Sequence, residues 1–128
     1  MDVKGVVWLG TRTAHFDEMV TFTREILGLR PRLLKPDFAV FECPDGDLFE
    51  IFGPGDADHT FMSCPVGEFL VGDLEAARAA MEERGIEFIG PVHKAADGNS
   101  WSHFRAPDGH VYGITSHPSH PSHKRAGD

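Results

Sequence analysis

Cysteine is scarce and tyrosine is almost missing: the 128-residue chain has two Cys, Cys43 and Cys64, and a single Tyr. Two thiols outside any C-x-x-C pair neither staple a scaffold nor build a zinc knuckle, so both are read as reduced. No uninterrupted run of about 18 apolar residues occurs, which excludes a membrane-spanning helix. The opening "MDVKGVVWLG" lacks the long apolar core of a secretory signal, and a cytoplasmic protein is expected. Positive charge is also in deficit, with 12 Lys and Arg against 20 Asp and Glu and a formal net charge of -8. Without a dense basic cluster there is little counterion release to gain, so nucleic acid and anionic membrane surfaces are excluded as partners. The partner left to expect is a small molecule.

What is present suits one globular domain, with 41% hydrophobic residues and 25% charged ones. The stretch "PDGDLFEIFG" at 44–53 returns, altered, as "PDGHVYGITS" at 107–116. Each copy reads as a tight turn and a strand, and each closes a larger repeat. In the first half, "VVWLGTRT" reads as a strand. Phe16, Met19, Val20, Thr23, Ile26 and Leu27 then share one helix face, and Gly28 supplies the stop. "RPRLLKP", "DFAVFEC" and "DLFEIFG" come next as three strands, with turns at Pro36-Asp37 and Pro44-Asp45-Gly46.

Beyond a linker rich in turn formers at 54–64 the plan restarts. "VGEFLVG" is a strand, Asp73 caps a helix with Leu74, Ala77 and Met81 inward, and Gly85 ends it. "IEFIGPV", "SWSHFRA" and "HVYGITS" read as three more strands. The expected organisation is a single domain over 1–116, with module one at about 4–53 and module two at 65–116, and a His/Pro/Ser-rich tail over 117–128. In the repeat Trp8 corresponds to Val66 and Glu50 to Gly113. The second copy is longer by a few residues, and "HKAADGNS" is the natural place for them.

"HFDEMVTFTREILGLRP", "FECPDGDLFEIFGP", "VGDLEAARAAMEERGIEFIGPV" and "HFRAPDGHVYGI" together resemble the vicinal oxygen chelate superfamily, the glyoxalase/bleomycin resistance protein/dioxygenase group. The resemblance implies an α+β fold. Two βαβββ modules form an open curled sheet or barrel around a central cavity, often completed by a homodimer partner. In metal-using members a divalent ion is bound from the first and last strands of each module, positions that fall here on Trp8, Glu50, Val66 and Gly113. Glu50 alone among them can donate to a metal, and such sites need about three protein ligands or a bound substrate. The expectation is therefore no metal and no other cofactor.

Residues two apart on a strand share a face, so the inward sets expected are Trp8, Gly10 and Arg12; Leu48, Glu50 and Phe52; Val66, Glu68 and Leu70; Val111, Gly113 and Thr115. Trp101, His103 and Arg105 join them from the penultimate strand. Leu9, Phe49, Ile51, Phe69, Val71, Tyr112 and Ile114 are assigned to the core beneath the helices. The candidate ligand-binding residues are Trp8, Arg12, Glu50, Phe52, Val66, Glu68, Trp101 and His103, an aromatic and apolar set with a few charges.

Trp8 either stacks on a planar ligand or fills the space of a lost metal. Glu50 is a ligand acceptor, a partner for Arg12 or Arg105, or part of a shifted metal set with Glu68 and His103. His15 and His110 read as solvent-side residues. His117, His120 and His123 in "SHPSHPSHK" read as a solvated tail with polyproline spacing. The function these residues imply is metal-independent binding of a hydrophobic or aromatic small molecule. The alternatives are a metal-dependent lyase, isomerase or dioxygenase with shifted ligands around Glu50, or a metal-free proton-transfer enzyme with Glu50 as the candidate catalytic base.

Overall fold

In the computed structural model the described residues are 1–124. The architecture is α+β and repeats one βαβββ plan twice. By internal contacts the chain forms two compact units, Trp8–Val66 and, separately, Met1–Val7 with the chain from Gly67 onward. No helix among the described residues is long and apolar enough to cross a membrane.

In the unit Trp8–Val66, the strand order is β2 (Arg30–Lys35), β3 (Phe38–Glu42), β4 (Leu48–Phe52), then the C-terminal half of β1 (Val3–Arg12). β1 and β4 run parallel, pairing Trp8 with Leu48, Gly10 with Glu50 and Arg12 with Phe52. The β2–β3 turn places Asp37 at φ 62, a left-handed backbone that a short polar side chain tolerates. The Pro44-Asp45-Gly46 turn uses Gly46 at φ 95.

The first helix departs from the expected pattern. α1 (Phe16–Thr21) runs straight into a π-helical turn, Phe22–Ile26, in which the Leu27 amide donates to the Phe22 carbonyl. Thr23, fully buried, donates its hydroxyl to the Met19 carbonyl at 2.7 Å, the oxygen that its own amide would meet in a regular α-helix. The extra residue in the turn rotates the rest of the helix off the buried stripe. Phe16, Met19 and Val20 pack on Ala39, Phe41 and Ile51, while Ile26 and Leu27 are exposed, contrary to the 3.6-residue periodicity. Leu9 is exposed too, since this helix covers β3 and β4 and does not reach it.

In the other unit β5 (Val66–Val71) and β9 (Val111–Ser116) are parallel, and β8 (Ser100–Arg105) is antiparallel to β9. α2 (Leu74–Glu83) begins on Asp73, whose carboxylate accepts from the Ala76 amide at 3.0 Å, and ends before Gly85 at φ 87. Leu74, Ala77 and Met81 join Val71, Phe104 and Ile114 in its core.

The single strand expected from "IEFIGPV" is instead two fragments, β6 (Glu87–Phe88) and β7 (His93–Lys94), both paired with β8. Gly90 at φ 149 and Pro91, which has no N–H to give a ladder, break it. β7 and β8 then form a hairpin across Ala95–Asn99, where the additional residues of the second copy reside.

The tail also differs from a solvated polyproline segment. His117 and His120 are buried at 7% and 8% exposure, and a 3-10 helix spans Pro121–Lys124. The His120 ring accepts from the Ser122 amide, so an imidazole expected in solvent serves the local turn instead. The remainder of the expected tail lies outside the described residues.

Candidate functional site

In the unit Trp8–Val66 the inward faces of β1 and β4 carry an aromatic cluster. Trp8, Phe52, Met62 and Val66 are buried together, with Phe38, Leu48 and Phe61 against them. The Trp8 indole folds back along its own strand, over Gly10. A Cβ at Gly10 would fall on the indole ring, so the missing side chain two residues on makes the Trp8 rotamer possible. The ring tilts against Phe52 at 6.5 Å between centroids. Phe52 is the centre of a stack, with Phe38 on one side at 5.4 Å and the His59 imidazole on another at 3.7 Å.

His59 comes from the segment read as a plain linker. Its backbone N–H donates to one oxygen of Asp56 at 2.8 Å, and its Nδ1 lies 2.9 Å from the other. The same carboxylate faces Arg12, whose Nε is 3.6 Å away and whose terminal nitrogen donates to the Asp56 carbonyl at 3.0 Å and to the Pro54 carbonyl. Burial alone would raise the pKa of Asp56, but the side-chain and backbone hydrogen bonds from His59 outweigh it and hold the carboxyl below its usual range. Arg12, a candidate for ligand contact or for pairing with Glu50, is thus bound to the linker. Only the Asp-x-x-His spacing, an Asx-turn signature, marked this site in the sequence. Glu50 is half-buried in β4, between Gly10 on β1 and Val40 on β3.

The other unit holds a second arrangement. Glu68 on β5 and His103 on β8 both pair in register with Gly113 on β9, the strand between them. With no side chain at Gly113, the two reach across it: His103 Nε2 lies 2.9 Å from Glu68 Oε2, and both residues are buried. A Cβ at Gly113 would come within 2.7 Å of Glu68 Cγ. A buried carboxylate and a buried imidazole are each costly to leave without a partner, and their close approach offsets part of that cost.

Trp101 is half-buried and stacks on His93 at 5.7 Å. Arg105, expected on the same inward face, is exposed and donates to the Gly109 carbonyl across the turn. His15 and His110 are exposed, as expected, and both cysteines are thiols.

The two parallel strand pairs are reciprocal. In one, glycine sits on the first strand and glutamate on the last, Gly10 beside Glu50; in the other the order is reversed, Glu68 beside Gly113. The carboxylate missing from the second "PDG" strand therefore stands on its parallel neighbour. Of the positions that the resemblance assigns to a metal, Trp8 carries an indole, Glu50 a carboxylate, Val66 an isopropyl group and Gly113 only a hydrogen. Only Glu50 among these residues offers a lone pair to a metal ion. Within either unit, among the described residues, no three His, Cys, Asp or Glu side chains are grouped to hold one.

Solved structures of similar fold include a glyoxalase/bleomycin resistance protein/dioxygenase superfamily member from Vibrio splendidus 12B01, at 17% identity and TM-score 0.66, covering 88% of this chain and 98% of that one. A variant of Streptomyces coelicolor methylmalonyl-CoA epimerase in complex with 2-nitronate-propionyl-CoA matches at 13% identity and TM-score 0.68, covering 93% and 98%. The Mn(II)-bound glyoxalase from Novosphingobium aromaticivorans matches at 19% identity and TM-score 0.71, over 89% of this chain and 39% of that one. No curated protein matches the sequence. The family model of the Glyoxalase/Bleomycin resistance protein/Dioxygenase superfamily matches residues 5–114, and with the duplicated βαβββ plan this places the chain in that superfamily.

Proposed function

We propose that this chain binds a hydrophobic or aromatic small molecule without a metal ion, as a binding protein of the glyoxalase/bleomycin resistance type. The observation that carries this reading is the Trp8 indole, laid over Gly10 and packed on Phe52 where a metal-using relative would present a donor. Val66 in the same cluster and Gly113 beneath Glu68 support it, since neither has a donor to offer. Binding by shape and stacking needs complementary apolar surface but no reacting group. Quenching of Trp fluorescence across a panel of aromatic compounds tests it. Saturable quenching that persists in chelator is expected, and titrations without saturation throughout the panel would count against it.

A second reading is favoured by one observation, the Glu68–His103 pair. Two buried groups able to accept and return a proton, 2.9 Å apart, are the equipment of an acid-base catalyst. Turnover abolished in both Glu68→Gln and His103→Gln would favour this reading over simple binding.

A further inference from the structure

The linker contributes to the aromatic cluster of its unit through a residue that neither the duplicated plan nor the expected metal positions predict. His59 has one ring face on Phe52 and a tilted contact with Phe61 at 6.1 Å, so it belongs to the aromatic cluster of its unit and not to the surface of the loop. Its Nδ1 meets the Asp56 carboxylate at 2.9 Å. An ionised carboxylate only accepts hydrogen bonds, so Nδ1 of the neutral ring must carry the proton. Asp56, which the hydrogen bonds from His59 hold below its usual range, is ionised at neutral pH. Nε2 is then the nitrogen with the lone pair, and the carboxylate behind the ring fixes that tautomer in the way such groups orient functional imidazoles.

Arg12 completes the arrangement. It donates to the Asp56 and Pro54 carbonyls and faces the Asp56 side chain, so the acid that orients His59 is itself held against β1. The side chains of Asp56 and His59 are 12% and 23% exposed. An imidazole that has one nitrogen committed, one face stacked and a modest fraction still open presents a directional acceptor within an apolar aromatic setting.

We propose that His59 Nε2 accepts a hydrogen bond from the acidic hydroxyl of a planar aromatic ligand, a phenol or enol, with Asp56 fixing the acceptor tautomer. This deepens the binding reading above and rests on it. A ligand of that class would give its O–H to Nε2 and lay its ring against the half-buried Phe61, since Phe52 is buried and already stacked on Phe38 and His59.

Two measurements on the full chain test it. The first needs no ligand: long-range proton–nitrogen NMR of the histidine rings should show His59 with Nε2 unprotonated near neutral pH, and Asp56→Asn should return it to the Nε2–H tautomer. The second compares 2-naphthol with 2-methoxynaphthalene, which keeps the ring but has no hydroxyl to donate. The wild type should prefer the naphthol about five- to tenfold, the worth of one net hydrogen bond. In His59→Phe, which retains a ring to stack, the ratio of the two dissociation constants should fall to about one.

Equal binding of both probes to the wild type, or an Nε2–H tautomer in the wild type, overturns the His59 assignment alone. A preference for naphthol that survives in His59→Phe does the same. Failure of both probes to bind overturns the aromatic-binding reading together with this one.

Discussion

His103 and Glu68 meet across Gly113: the imidazole Nε2 and the carboxylate Oε2 lie 2.9 Å apart from strands on either side of it. The glycine is the condition for the contact. The space above the middle strand belongs to its neighbours because the middle residue has nothing to put there.

Gly113→Ala should therefore cost about 1–3 kcal/mol in denaturant unfolding, the usual penalty for overpacking. The new methyl would come within 3.0 Å of three Glu68 atoms, and Glu68, 3% exposed, has little room to swing aside. In a double-mutant cycle, Gly113→Ala with Glu68→Ala should cost less than the sum of the single changes. Additive costs would mean that the two residues do not share this space.

Gly10→Ala tests the equivalent relationship in the other unit. The Trp8 indole occupies the position of the new Cβ and would have to leave it. A loss of about 1–3 kcal/mol is expected, with a red shift of Trp emission as the ring loses its buried contacts. Retained stability and an unshifted spectrum would show that Trp8 does not lie over Gly10.

Acid should weaken the linker through Asp56. Its folded pKa lies below the ordinary 3.8, so its contribution is fully present above that value and is lost as pH falls through the folded one. Unfolding of the wild type and of Asp56→Asn, followed from about pH 5 down to about pH 2, should show a shallower acid decline in the variant. Parallel curves would mean that the His59 hydrogen bonds do not favour the ionised form.

Much of this fold was legible because duplication made each half a check on the other. The helix caps, the "PDG" turns and the β-branched runs obey local rules, and the strands formed where those rules placed them. The exceptions have local causes that a periodicity does not register. Thr23 has the same shape in a stripe whether or not its hydroxyl takes the Met19 carbonyl, and that bond accompanies the π turn which sends Ile26 and Leu27 outward. Gly90 and Pro91 cut an apolar run that otherwise reads as a strand.

The candidate site was legible by position and less so by partner. Trp8, Phe52 and Val66 are together in one cluster, and Glu68 and His103 are together in another arrangement. Arg12 has its ends in the linker, because Asp56 and two carbonyls there offer more acceptors than strand alternation can reveal. His59 escapes a sequence reading for the same reason: its role depends on a turn that brings Asp56 and Phe52 to one ring.

The metal content of the untagged protein tests the central claim most directly. After incubation with Mn²⁺, Fe²⁺ or Zn²⁺ and removal of free ion, elemental analysis should find well below one equivalent per chain in wild type, and aromatic-probe affinity should be unchanged by chelator. One tightly held equivalent that disappears in Glu68→Gln or Glu50→Gln would contradict the account and make metal-dependent catalysis the better description.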